Sequence, residues 1–245
     1  MGMAVFWLNL AQAGIPIQHW TQPGGARVWL VESPAIPMVD VQIDFDAGGR
    51  RDPADKAGLA SVTAAMASKG VAARGADPAL DENQLGEAWA DLGASFGAGA
   101  GGDRLSYSLR SLSYPDLLER AAALAARQLA EPSFPEAIWQ RERERIAASI
   151  REANTRPATL AGRAFTQAVY GSHPYGYEMT EETLARITLA DMRAQQARLI
   201  LPCRARVSIV GALNRQQADA LVLRLLGRLP AGDAAACAPL PAVGE

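Results

Sequence analysis

The feature that most constrains the fold is an alternation. Val39, Val41, Ile43 and Phe45 are apolar, and they interleave with Asp40, Gln42, Asp44 and Asp46. Side chains of a strand point to opposite faces in turn, so this period of two predicts a strand with one dry and one wet face. The acidic alternates read as a solvated strand face rather than a cation site. The same alternation recurs at residues 104–112 and 205–211. Two further strand candidates, residues 15–20 and 26–31, flank Pro23-Gly24-Gly25, a hairpin turn. A glycine-rich strand is expected over residues 95–100. A half-wet sheet must bury its dry face, and the intervening stretches are helical. The order of strands, a helix pair, strands, several helices, then a strand and a helix predicts an α+β chain. Its architecture is an α/β sandwich, with one mostly antiparallel sheet covered by helices.

The helices follow from apolar spacing and from breakers. Residues 58–70 place Leu59, Val62, Ala65 and Met66 on one packed face, with Gly70 expected at the C′ position. Leu80, Leu85, Ala88, Trp89 and Leu92 mark a second helix, stopped by Gly93. Pro115-Asp116 opens a helix reaching Leu129. Another spans residues 137–154 and carries Arg141-Glu142-Arg143-Glu144-Arg145, read as a solvated, ion-paired face. Pro157 starts a helix through Tyr170. Thr188 with Asp191 forms an approximate capping box for a helix to about Leu201. Asn214 caps a last helix ending near Leu229, and the Ala/Pro-rich tail reads as a linker.

Composition narrows the chemistry. The chain has 245 residues, 49% of them hydrophobic, enough for one large domain or two small ones. Its net charge is −2, from 24 basic and 26 acidic residues, with no long basic run, so nucleic acid is not an expected partner. The two cysteines, Cys203 and Cys237, lack C-x-x-C spacing, and their pairing is left open. The two histidines, His19 and His173, are too few for a His-rich metal site, and no cofactor is expected. Residues 1–13 contain a short apolar run and Ala11-Gln12-Ala13. They read either as the end of an export signal or as an ordinary buried segment. The first reading places the protein in the periplasm or otherwise outside the cytoplasm, and the second leaves the cytoplasm open. No apolar run approaches the ~20 residues that span a bilayer.

On the helix at 58–70, two His at i and i+4 would hold zinc, and a Glu between them would take a proton from bound water. This helix has neither. Ser61 is a poor zinc ligand, and the methyl groups of Ala64 and Ala65 neither ligate nor transfer protons. Ser61 as a hydrolase nucleophile lacks a G-x-S-x-G elbow and a histidine partner.

The frame of this helix nevertheless resembles the zinc helix of pitrilysin/insulinase-type peptidases, especially mitochondrial-processing-peptidase-like ones. There G-L-A-H-x-x-E-H-M precedes a Lys-Gly turn. Laid on Gly58-Leu59-Ala60-Ser61 to Met66 and Lys69-Gly70, the first His falls on Ser61, the Glu on Ala64 and the second His on Ala65. The family's third ligand is a Glu on the long helix. Counting back from Thr155-Arg156-Pro157 places it on Ser149, with Glu152 almost one turn on. The resemblance also implies that Phe96, Gly97, Ala98 and Gly99 form the edge strand that receives substrate peptide, with Gly97 where the family has Asn. His173, in His-Pro-Tyr-Gly, falls on a structural landmark.

The likeness covers roughly residues 15–229. It implies a domain at 14–230, then a linker at 231–245 towards a second domain of the same fold. By implication the protein is not an enzyme. It is a degenerate subunit that forms a heterodimer with an active zinc peptidase homologue and helps to enclose an extended peptide. The alternative is a scaffolding protein with no role in proteolysis. Uncovered faces and the glycine-rich edge predict that the isolated domain self-associates.

Overall fold

The structure is a computed structural model that describes residues 15–243. The reading of residues 1–13 as an export-signal remnant lies outside the described residues. Along the chain come β1 (Gln18–Thr21), β2 (Arg27–Glu32), β3 (Met38–Phe45), α1 (Leu59–Met66), β4 (Gly70–Val71) and β5 (Leu80–Asp81). Then follow α2 (Glu82–Asp91), β6 (Ser95–Ala100), β7 (Leu105–Leu112), α3 (Pro115–Ala130), α4 (Glu136–Ala153) and α5 (Pro157–Tyr170). The last elements are α6 (Glu181–Arg186), α7 (Leu189–Leu199), β8 (Arg206–Gly211) and α8 (Arg215–Leu226).

Six strands form one sheet in the order β1-β2-β8-β3-β7-β6, and β4 and β5 make a separate small hairpin. Only the β2–β8 pair of the large sheet is parallel. The alternation of β3 does what the sequence predicts. Val39, Val41, Ile43 and Phe45 are buried, as are Leu105, Tyr107 and Leu109 of β7 and Val207 and Ile209 of β8. This face packs against α3 and α8, through residues such as Ala121, Ala125, Val222 and Leu225. The opposite face is polar, with Asp40 ion-paired to Arg110 at 2.6 Å.

A second apolar cluster gathers Leu59, Val62 and Met66 of α1 with Trp139 of α4, Leu184 of α6, Ile187 just after α6, and Met192 of α7. Met179 packs against this cluster and also lines the cavity described below, so the cluster supports both α1 and the cavity wall.

Local differences from the sequence reading have physical causes. Asp44 is buried rather than solvated, because Ser106 donates to it at 2.6 Å and Arg104 pairs with it at 3.1 Å. The α1 helix ends at Met66, earlier than expected, and Gly70 opens β4 at φ +122°. A Cβ there would lie 2.7 Å from the Leu80 carbonyl oxygen across the hairpin, so glycine is required by a strand contact rather than a helix cap. The short helix α6 went unread. Its signal is the Thr180–Thr183 capping box, both halves of which are formed.

The tail after α8 is docked. Cys203 and Cys237 form a disulfide with Cα atoms 5.8 Å apart, Arg204 donates to the Ala236 carbonyl, and Leu240 packs against the main core.

Candidate functional site

The geometry around α1 is set by its entry. Gly58 sits in the left-handed region at φ +100°, and a Cβ on it would run into the Met179 side chain. The carboxylate of Asp52 accepts from the Gly58 and Ala60 amides, both at 3.0 Å, and from Gln195 Nε2 at 3.3 Å. It thus serves the free N–H groups of the first turn. Asp52 is only 5% exposed. Burial pushes its carboxyl up to about 6, against the opposing pull of those hydrogen bonds.

Within α1 the three positions named from sequence separate. Ser61 and Ala65 are exposed, whereas Ala64 is 2% exposed and packed in the main core. Ser61 opens onto a cavity of about 390 Å³ that is also lined by Asp52, Tyr170, Tyr175, Tyr177 and Met179. The backbone of Gly49, Gly101 and Gly102 completes its wall. Tyr175 donates to Asp103 at 2.6 Å, and that bond raises its phenol above the ordinary value.

His173 sits beside this cavity as a structural group. Its Nδ1 accepts from the Tyr175 amide at 3.1 Å, and its ring lies 4.8 Å from that of Tyr175. His19 lies on β1, at the opposite sheet edge from β6, against which α1 packs. Neither histidine is a partner for Ser61. Among the described residues, no group of three or more His, Cys, Asp and Glu side chains could hold a metal ion.

On α4, Ser149 and Glu152 are both exposed, and Glu152 pairs with Arg156. The charge run is not solvated throughout. Glu142 is 8% exposed, held by Arg145 at 2.8 Å and facing Lys69, just past α1, at 3.7 Å. Lys69 also pairs at 2.6 Å with Glu82, whose carboxyl it holds below the ordinary value. Glu142 is the carboxylate that sequence reasoning missed. Its signal was the helical spacing from Trp139 to Ile146, which puts Glu142 on the packed stripe.

The edge strand divides its residues between two faces. Phe96 stacks between Trp89 and Tyr107, with ring centroids 5.7 Å and 5.8 Å away, and Ala98 packs against the same core. Gly97 and Gly99 alternate with them, and a Cβ on either would meet nothing within 4 Å. Internal packing therefore does not demand glycine at either position. β6 pairs with β7 alone, so its outer edge is unpartnered among the described residues.

Comparison with known proteins gives this arrangement a context. The model of the insulinase family, peptidase family M16, matches residues 27–183, more than half of the chain. A similar protein is the uncharacterized zinc protease YmxG of Bacillus subtilis, 22% identical over 204 residues, covering 81% of this chain and 47% of that protein. Among solved structures, a peptidase M16 inactive domain from Pseudomonas fluorescens superposes with a TM-score of 0.83 at 31% identity. That match covers 94% of this chain and 53% of the other. A protease from Helicobacter pylori shares the fold at a TM-score of 0.76 and 19% identity, over 89% of this chain and 52% of its own. The chain thus spans about half the length of these relatives. By its family match and by the fold and helix frame just described, the chain belongs to the insulinase family of M16 peptidases.

Proposed function

We propose that this domain is a catalytically inactive, peptidase-like subunit. It pairs with an active zinc peptidase homologue as a heterodimer and contributes one wall of the peptide-binding chamber. The observation that carries the reading is α1 itself. The helix is capped, packed and open to a cavity in a peptidase fold, yet Ser61, Ala64 and Ala65 offer no ligand pair and no base. Its chemistry is gone while its seat is kept.

The unpartnered edge of β6 is the proposed platform for an extended peptide. Backbone groups would pair with the peptide, and Gly97 and Gly99 allow close approach. The third ligand position is Ser149, and so empty, by the count from Pro157, while the burial of Glu142 against Lys69 makes Glu142 a rival claimant that would leave this one carboxylate in place. The disulfide fits an oxidising compartment, in keeping with a periplasmic or otherwise exported protein. A scaffolding role without peptide contact is favoured by one feature only, the absence of a side chain at Gly97.

The test is native purification of the full-length protein from its host, with the companions identified by mass spectrometry. The expected companion is an M16 homologue with an intact H-x-x-E-H helix that cleaves peptides faster in the pair than alone. A homologue that neither co-purifies nor gains activity on mixing would overturn the proposal.

A further inference from the structure

We propose that the Cys203–Cys237 disulfide is a redox-operated clasp, which straps the segment after α8 across the body of the domain. The two cysteines are 34 residues apart in sequence, one on the short turn before β8 and the other in the tail. The strap is shaped for this bond. A Cβ on Gly232 would lie 2.6 Å from Cys237 Sγ and 3.2 Å from Cys203 Sγ, so the chain can cross the sulfurs there only as glycine. Beyond the disulfide the strap has few anchors. Arg204 donates to the Ala236 carbonyl, Arg51 donates to the Pro241 carbonyl, and Leu240 rests on the main core without being fully buried.

The rest of the strap's order is local. The Cys237 amide bonds the Asp233 carbonyl at 2.9 Å, and the Ala236 amide bonds the Asp233 carboxylate at 2.7 Å. No regular helix or strand spans residues 231–243. A segment with so few long-range contacts stays ordered while it is covalently pinned and opens at low free energy once it is not. The strap's far end also touches the cavity's support. Arg51 shares Asp46 with Arg50, and Arg50 lies 3.5 Å from Asp103, which accepts from Tyr175.

The chemical step is thiol–disulfide exchange. The thiolate of a dithiol reductant attacks one sulfur, and the Sγ–Sγ bond breaks. The resulting mixed disulfide is resolved by the reductant's second thiol. Both cysteines end as thiols, and the reductant ends as its own cyclic disulfide. Closed, the strap covers Leu240's seat. Open, it frees residues 231–243 and uncovers that seat.

The test uses the full chain with elastase, which cuts after small residues such as those of this Ala-rich tail. Before it, thiol titration of the denatured, unreduced protein should find no free thiol, and two free thiols would overturn the proposal. Dithiothreitol should speed cleavage within residues 231–243 by at least about tenfold while the body remains intact. A double variant, Cys203→Ser with Cys237→Ser, should behave like the reduced protein. Leu240→Asp with the disulfide intact should loosen residues 239–243 and leave residues 233–238 protected. Equal cleavage before and after reduction would overturn the clasp, as would opening of the whole strap by Leu240→Asp. Cleavage spreading through the body on reduction would show that the bond holds the fold rather than a strap.

Discussion

Two helices line the same cavity, and they are built in opposite senses. Of α1, Leu59, Ala60, Val62, Thr63, Ala64 and Met66 are buried, and only small side chains face outwards. Of α5, no residue is buried. It turns Thr159, Arg163 and Thr166 towards the body, with Arg163 tied to Glu178 at 2.8 Å. Leu160, Phe165 and Val169 point to solvent, Phe165 at 70% exposure. A surface helix normally hides its apolar stripe. The contrast separates two parts of one wall: α1 is buried fold that shows the cavity only small side chains, and α5 is surface that leaves an apolar side exposed.

The largest expected difference between these helices is in stability. Val62→Asp puts a charge into the α1 cluster and should cost more than about 4 kcal/mol, or abolish folding. Phe165→Asp on α5 should change stability by less than about 0.5 kcal/mol. Urea denaturation of both variants measures the two figures, and similar losses would erase the distinction. The same Phe165→Asp change should weaken the proposed self-association of the isolated domain, read by sedimentation at about tens of micromolar. An unaltered dimer would mean that α5 is not the sticky surface.

A smaller effect belongs to the entry of α1. Asp52 titrates near 6 in the folded chain, above its ordinary value of 3.8. Between those values the native state holds the extra proton, so this group's contribution to stability falls as pH rises from about 4 to about 6 and stays lowered above. The drop should amount to about 1–3 kcal/mol. Asp52→Asn should flatten it, as denaturation midpoints across that range would show. A slope that persists in the variant would assign the titration to another group.

Smaller still is the effect that decides between Ser149 and Glu142 as the third ligand position. Ser61→His with Ala65→His supplies two ligands at exposed positions, whereas Ala64→Glu would force a carboxylate into packed space and is left out. Zinc binding by this pair should depend on Glu142, which is already buried and faces Lys69 just past the end of α1. Glu142→Gln should weaken it by at least about tenfold, or about 1.4 kcal/mol, and Ser149→Glu should add less than about threefold. Titration calorimetry giving the reverse pattern would return the third position to Ser149.

Much of the fold was legible because alternation and burial are the same fact in β3, β7 and β8. At α1 the side chains of Ser61, Ala64 and Ala65 are read directly from the sequence, whereas the burial of Ala64 and the exposure of Ser61 and Ala65 come only from the structure. What escaped were the features set by tertiary contact. Glu142 sits in a run of alternating charge that looks wet in sequence; the spacing from Trp139 to Ile146 puts it on the packed stripe, and Lys69 and Arg145 supply the charges that a buried carboxylate needs. The outward face of α5 could not be read from its apolar spacing, which is the same whichever way the helix is turned. The pairing of Cys203 with Cys237 depends on where the tail returns, and spacing carries no such information.

The central claim is that α1 keeps its place without its metal. Its most direct test is the zinc content of the purified chain after loading with zinc and desalting, measured by elemental mass spectrometry. The expected result is less than about one-tenth of an equivalent per chain, because a catalytic zinc needs about three protein ligands and α1 supplies none. A full equivalent of zinc that survives desalting and disappears in Ser61→Ala would contradict the account.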